Sequence, residues 1–125
     1  MAYQILSIFI CQNDDLMDQF QKLTELLVQF RDARDWKQFH NSKDLAIAIS
    51  IESAELLEVF LWKDSEASSK ERVAEEVADI MAYLLLLSAN YGFDLEKTLK
   101  DKIQKNELKY PVDKAKGKAT KYNEL

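Results

Sequence analysis

Two glycines (Gly92 and Gly117) and one proline (Pro111) are all that this chain of 125 residues contains of the strongest turn-forming residues. Sheet proteins need such residues between their strands. A chain this poor in them has few turns, which argues for long helices and against a sheet. Hydrophobic residues at 47 % and charged residues at 31 % describe a globular chain rather than a disordered one. Its length fits one domain with a real but modest core. No stretch reaches the roughly 20 apolar residues of a membrane span.

The expected architecture is all-α, a bundle of four to five helices completed by oligomerisation. Residues 1–13 read as an N-terminal arm around the apolar run Ile5-Leu6-Ser7-Ile8-Phe9-Ile10-Cys11. That run lacks the preceding basic residues and the cleavage site of a secretory signal. The arm packs on the body or on a neighbouring subunit, or it reflects an upstream start. The main domain spans 14–111, and 112–125 form a lysine-rich tail with a mobile tip. The first helix starts at Asn13 to Asp15 and ends near Arg34. It carries Leu16, Phe20, Leu23, Leu27 and Phe30 at helical spacing. A loop holds Asp35 to Asn41. The second helix is capped by Asn41 or Ser42 and runs to about Trp62; the third is capped by Ser68 or Ser69 and stops at Gly92. The fourth opens at Asp94 and is ended at Tyr110 by Pro111.

The second helix has almost no solvent face. Leu45, Leu56 and Val59 share one side, and Ile47, Ile51 and Ala54 occupy the other. A helix apolar nearly all round must be covered on both sides, which a small monomer does poorly. A homodimer or homotetramer is therefore expected. On the third helix Val73, Val77, Ile80, Leu84 and Leu87 form the expected core stripe. Glu76, Asp79, Tyr83 and Asn90 lie beside it in one arc of about 60°.

Chemistry is concentrated in two acid pairs, Glu52 with Glu55 and Glu76 with Asp79. The i, i+3 spacing puts each pair on one face of its helix. Both pairs sit among apolar residues, and Glu52 falls within the arc from Leu45 to Val59. Like charges about 4 Å apart repel by roughly 4 kcal/mol at an effective dielectric of 20, a large fraction of a small domain's stability. A hard dication removes that repulsion, and an all-oxygen donor set selects Mg²⁺, with Mn²⁺ as the alternative. A di-iron bundle would need Glu-x-x-His on two helices. The single histidine, His40, has Lys37 three residues before it, so that reading fails.

Other features exclude more than they assign. A net charge of −5 argues against general nucleic-acid binding. A lone cysteine, Cys11, permits no intrachain disulfide and suits a reducing cytoplasm. There is no glycine-rich phosphate loop and no nucleophilic triad. Trp36 and Trp62 flank the second helix, where amphipathic rings often line pockets, whereas Phe39 reads as core. The strip Lys102, Lys105, Asn106, Lys109 and Tyr110 suits a helix C-terminus, and beside a metal it can hold phosphate.

Taken together, Glu52-x-x-Glu55 followed by Glu76-x-x-Asp79 resembles the signature of the MazG-like all-α nucleoside triphosphate pyrophosphohydrolases. The likeness is greatest to the short, dCTP pyrophosphatase-like branch. Supporting pieces are Asp35-Trp36-Lys37-Gln38-Phe39-His40, Phe60-Leu61-Trp62, and Lys105-Asn106-Glu107-Leu108-Lys109-Tyr110-Pro111. Many members carry a further Glu directly before the first acid; Ile51 stands there, as the short branch tolerates. The resemblance implies subunits pairing through their helices, with Mg²⁺ held by Glu52, Glu55, Glu76 and Asp79. It implies hydrolysis of a (d)NTP to (d)NMP and pyrophosphate in nucleotide-pool house-cleaning. It implies a base bound among Trp36, His40, Trp62 and Tyr83, with Lys102, Asn106 and Tyr110 on sugar or phosphates. Two other readings compete: a catalytically silent helical oligomer that binds nucleotide or a protein partner, and phosphoribosyl-ATP hydrolysis on a related fold.

Overall fold

The computed structural model describes residues 19–63 and 68–125. The arm at 1–13, the start of the first helix and Cys11 lie outside the described residues, as does the middle of the loop after Trp62. The fold is all-α, with no strand among the described residues. Helix α1 covers residues 19–32, followed by a 3-10 turn at Trp36–Phe39. Helix α2 spans Ser42–Val59, α3 spans Lys70–Tyr91 and α4 spans Leu95–Lys109. A single-turn helix, α5, follows at Val112–Ala115, and a 3-10 turn closes the chain at Tyr122–Glu124. No described helix is long and apolar enough to cross a membrane. The chain divides into two compact units, one ending at Gly92 and one covering Phe93–Leu125.

The helix boundaries are chemical. Asn41 accepts the Asp44 N–H at 2.9 Å, Ser69 accepts the Arg72 N–H at 3.4 Å, and Asp94 accepts the Lys97 N–H at 3.0 Å. Each satisfies an amide that a helix start leaves without a partner. Helix α3 ends at Gly92, whose φ of 66° is a left-handed conformation that side chains resist. Helix α2 stops at Val59, three residues short of the expected end. No glycine or proline marks that stop. Instead the Ser68 hydroxyl donates to the Val59 carbonyl at 2.9 Å, and Trp62 takes φ 60° in the turn that follows.

In the first unit α2 and α3 form the principal helix pair and run antiparallel. Leu45 and Val59 of α2 are each only 1 % exposed, and Leu85 and Leu86 of α3 are buried with them. The opposite side of α2 is open in the single chain: Ile47 is 48 % and Ile51 52 % exposed. The stripe expected on α3 divides likewise. Val73, Ile80 and Leu87 are half-buried, while Val77 and Leu84 are exposed. The run Leu84-Leu85-Leu86-Leu87 wraps two sides of the helix, and burial within one chain takes the Leu85 and Leu86 side.

In the second unit the tail contains helical turns. The tail forms α5 and its last turn, and the Tyr122 ring meets Tyr110 edge-on at 6.1 Å. Lys109 Nζ lies 4.8 Å from the Tyr122 ring centroid. Cation–π and edge contacts link the last turn to the end of α4.

Candidate functional site

Antiparallel pairing of α2 and α3 brings the second turn-and-a-half of α3 beside the middle of α2. One carboxylate oxygen each from Glu52, Glu76 and Asp79 lies within 4.8 Å of the others. Glu52 and Glu76 are half-buried and Asp79 is exposed. The i, i+3 spacing explains why Glu76 and Asp79 face α2 together; Glu52 meets them because it falls on the inward arc with Leu45 and Val59. Glu55 is exposed one turn further along α2 and stands outside this cluster.

The acids perturb one another. Burial, then the charges of Glu55, Asp79 and Glu76, raise the proton affinity of Glu52 above that of an ordinary glutamate. Tyr83, the next residue along the arc of α3, is likewise pushed up by burial and by the charges of Glu52 and Asp79. The ion pairs of Arg31 with Asp32, Lys97 with Asp101 and Lys100 with Glu96 lie elsewhere, and the main influences on Glu52 all act in the raising direction. A hard dication fits this donor set.

A line of rings leads to the acids. Phe30 meets Trp36 edge-on at 5.9 Å, Trp36 lies 6.5 Å from His40, and His40 meets Tyr83 edge-on at 6.2 Å. The Arg34 guanidinium covers Phe30 at 3.6 Å and reaches to 5.8 Å from Trp36. His40 Nδ1 is buried and has no hydrogen-bond partner, an uncommon state for a polar atom and one that a ligand can relieve. The Asn90 side-chain amide donates to the His40 carbonyl at 3.1 Å and to the Ser42 hydroxyl at 3.4 Å.

The structure thus brings Trp36, His40 and Tyr83 into one aromatic run that ends at the acids. Trp62 stands apart from it, at the end of α2, 95 % exposed. Lys102 and Asn106 lie on α4, and the Tyr110 N–H donates to the Asn106 carbonyl at 2.8 Å. Phe30 and Arg34 joined the ring system unannounced by the sequence. Their spacing is that of any helix end, and only the turn at Asp35, with φ 55°, folds Trp36 back onto them.

A sequence profile of the MazG-like family matches residues 47–125. The chain is 37 % identical over 113 residues to dCTP pyrophosphatase 1 of Bos taurus, covering 84 % of this chain and 67 % of that protein. It is 36 % identical over 113 residues to dCTP pyrophosphatase 1 of Homo sapiens, covering 84 % of this chain and 66 % of that one. The match thus spans about two thirds of these relatives' length. In structure it resembles a pyrophosphatase from Archaeoglobus fulgidus, with a TM-score of 0.70 and 41 % identity over 74 % of this chain and 93 % of that chain. All four acids, Glu52, Glu55, Glu76 and Asp79, fall within the profile's match, and the chain belongs to the MazG-like family.

Proposed function

We propose that this protein is a nucleoside triphosphate pyrophosphohydrolase that clears the nucleotide pool, converting a (d)NTP to (d)NMP and pyrophosphate. The observation that carries the reading is the meeting of Glu52, Glu76 and Asp79 from two helices, beside an aromatic run. The relatives' name makes dCTP the first substrate to test. Glu52, Glu76 and Asp79 hold the cation, with Glu55 as the fourth acid of the set. Mg²⁺ is the proposed ion. Bound there, it would neutralise the triphosphate and lower the pKa of the attacking water.

The chain's own residues divide the substrate between them. Trp36, His40, Tyr83 and Trp62 take the base by stacking and by the free His40 Nδ1. Lys102, Asn106 and Tyr110, of the same or a neighbouring subunit, take sugar or phosphate oxygens. Water attacks the α-phosphorus as the bridging bond to the β-phosphate breaks, and pyrophosphate leaves. The assembly proposed is a homodimer or homotetramer, with neither nucleic acid nor membrane as partner, working in the cytoplasm.

A screen of canonical and modified nucleoside triphosphates with Mg²⁺ tests this reading. The expected products are a monophosphate and pyrophosphate. Orthophosphate as the first product would overturn the bond assignment. Glu55→Gln is expected to lower turnover at least 100-fold with the helical circular dichroism unchanged; full activity in that variant would remove Glu55 from the set. A catalytically silent oligomer finds no support in an acid cluster this close.

A further inference from the structure

The His40 ring is held by very little of its own. Its Nδ1 has no partner, and its two ring neighbours, Trp36 and Tyr83, touch it only at edges or at a tilt. His40 also follows the 3-10 turn and precedes the Asn41 cap, a junction where backbone angles change from residue to residue. Something else must fix the ring over Tyr83. The tie that reaches this junction from α3 is the Asn90 amide, which bonds the His40 carbonyl and the Ser42 hydroxyl on either side of the cap.

We propose that Asn90 is a positioning residue for base recognition. It clamps the entry of α2 to the last turn of α3 and so sets the His40 ring against Tyr83. Asn90 itself is too far away to touch the reacting phosphates. It lies 11 residues beyond Asp79 on the same helix, about 16 Å along the axis. Yet it shares the arc of Glu76, Asp79 and Tyr83. The helix that presents the acids therefore also fixes, two turns beyond Tyr83, the loop that presents the imidazole. Base pocket and acid cluster are thereby held in one register. The kinetic part of this proposal rests on the function proposed above; the tether itself does not.

Asn90→Leu removes both hydrogen bonds at an exposed position, and Asn90→Gln can restore a donor. Asn90→Asp keeps the shape without the donors and serves if the leucine variant does not fold. Because His40 is the only histidine, its Cε1–H gives a single imidazole NMR signal to follow. That signal is expected to shift in Asn90→Leu without nucleotide, and to return toward wild type in Asn90→Gln. With dCTP, KM is expected to rise about three- to tenfold, the scale of one hydrogen bond, with kcat within twofold. The inhibition constant of tripolyphosphate, which has no base, is expected to stay unchanged. An unmoved His40 signal would overturn the tether. An unchanged KM, or a tripolyphosphate constant rising in parallel with KM, would overturn the role in base recognition. If no nucleotide is hydrolysed, the proposed function falls, and the His40 signal still decides the tether.

Discussion

Glu52 shows how a single residue couples the fold to its ligand. Burial and three neighbouring acids raise its proton affinity, so the folded state favours the neutral carboxyl more than the unfolded chain does. The stability this contributes is full below the unfolded pKa of about 4.5 and is lost as pH rises through the raised folded value. Metal-free Glu52→Gln is therefore expected to melt higher than wild type at pH 7. The gain should be small, about 2 °C, because solvent screens the cluster. The two proteins should converge below about pH 4.5, and melting curves at both pH values with chelator check this. A lower melting point for Glu52→Gln at pH 7 would mean that the charged form is stabilised by something other than a bound cation. The acids' types and spacing were legible in the sequence. Which carboxylates meet was not, because convergence depends on the register between α2 and α3. Hence Glu55, equal to the others in sequence, stands outside the closest group.

At the scale of elements, local chemistry was legible and distant chemistry was not. Asn41, Ser69, Asp94 and Gly92 bound their helices as the sequence suggests, because each bonds a backbone group within four residues: the first three accept amides, and the Gly92 N–H donates to carbonyls. The end of α2 and the contact of Tyr122 with Tyr110 were not legible, since Ser68 acts on Val59 and Tyr122 on Tyr110 across longer gaps. Two residues at positive φ give opposite expectations. Gly92 has open space where a side chain would go, so Gly92→Ala should cost about 1 kcal/mol from backbone strain alone. Trp62 already bears such strain, and its ring rests in water. Trp62→Asn is therefore expected to leave stability within about 0.5 kcal/mol of wild type. The same variant should raise KM about tenfold through the lost stacking surface. Denaturant midpoints and steady-state kinetics check both. A large loss of stability in Trp62→Asn would show that the ring serves the fold.

For the whole molecule, the sequence made the helical class plain, because two glycines and one proline leave few places to turn. It also pointed to α2 as a helix needing cover on both faces, and one face remains open in the single chain. Ile47→Glu, on that open face, should therefore convert the assembly to a smaller species in sedimentation, with activity falling alongside mass. An active monomer in the wild type at micromolar concentration would refute the proposed assembly. The placement of the two tryptophans has an optical consequence. The Trp62 indole sits in bulk solvent, whereas Trp36 lies against Phe30, Arg34 and His40. Their emission will differ in colour and in susceptibility to iodide quenching. With only these two fluorophores of their kind in the chain, the molecule carries a built-in two-channel readout of which end of α2 a ligand covers.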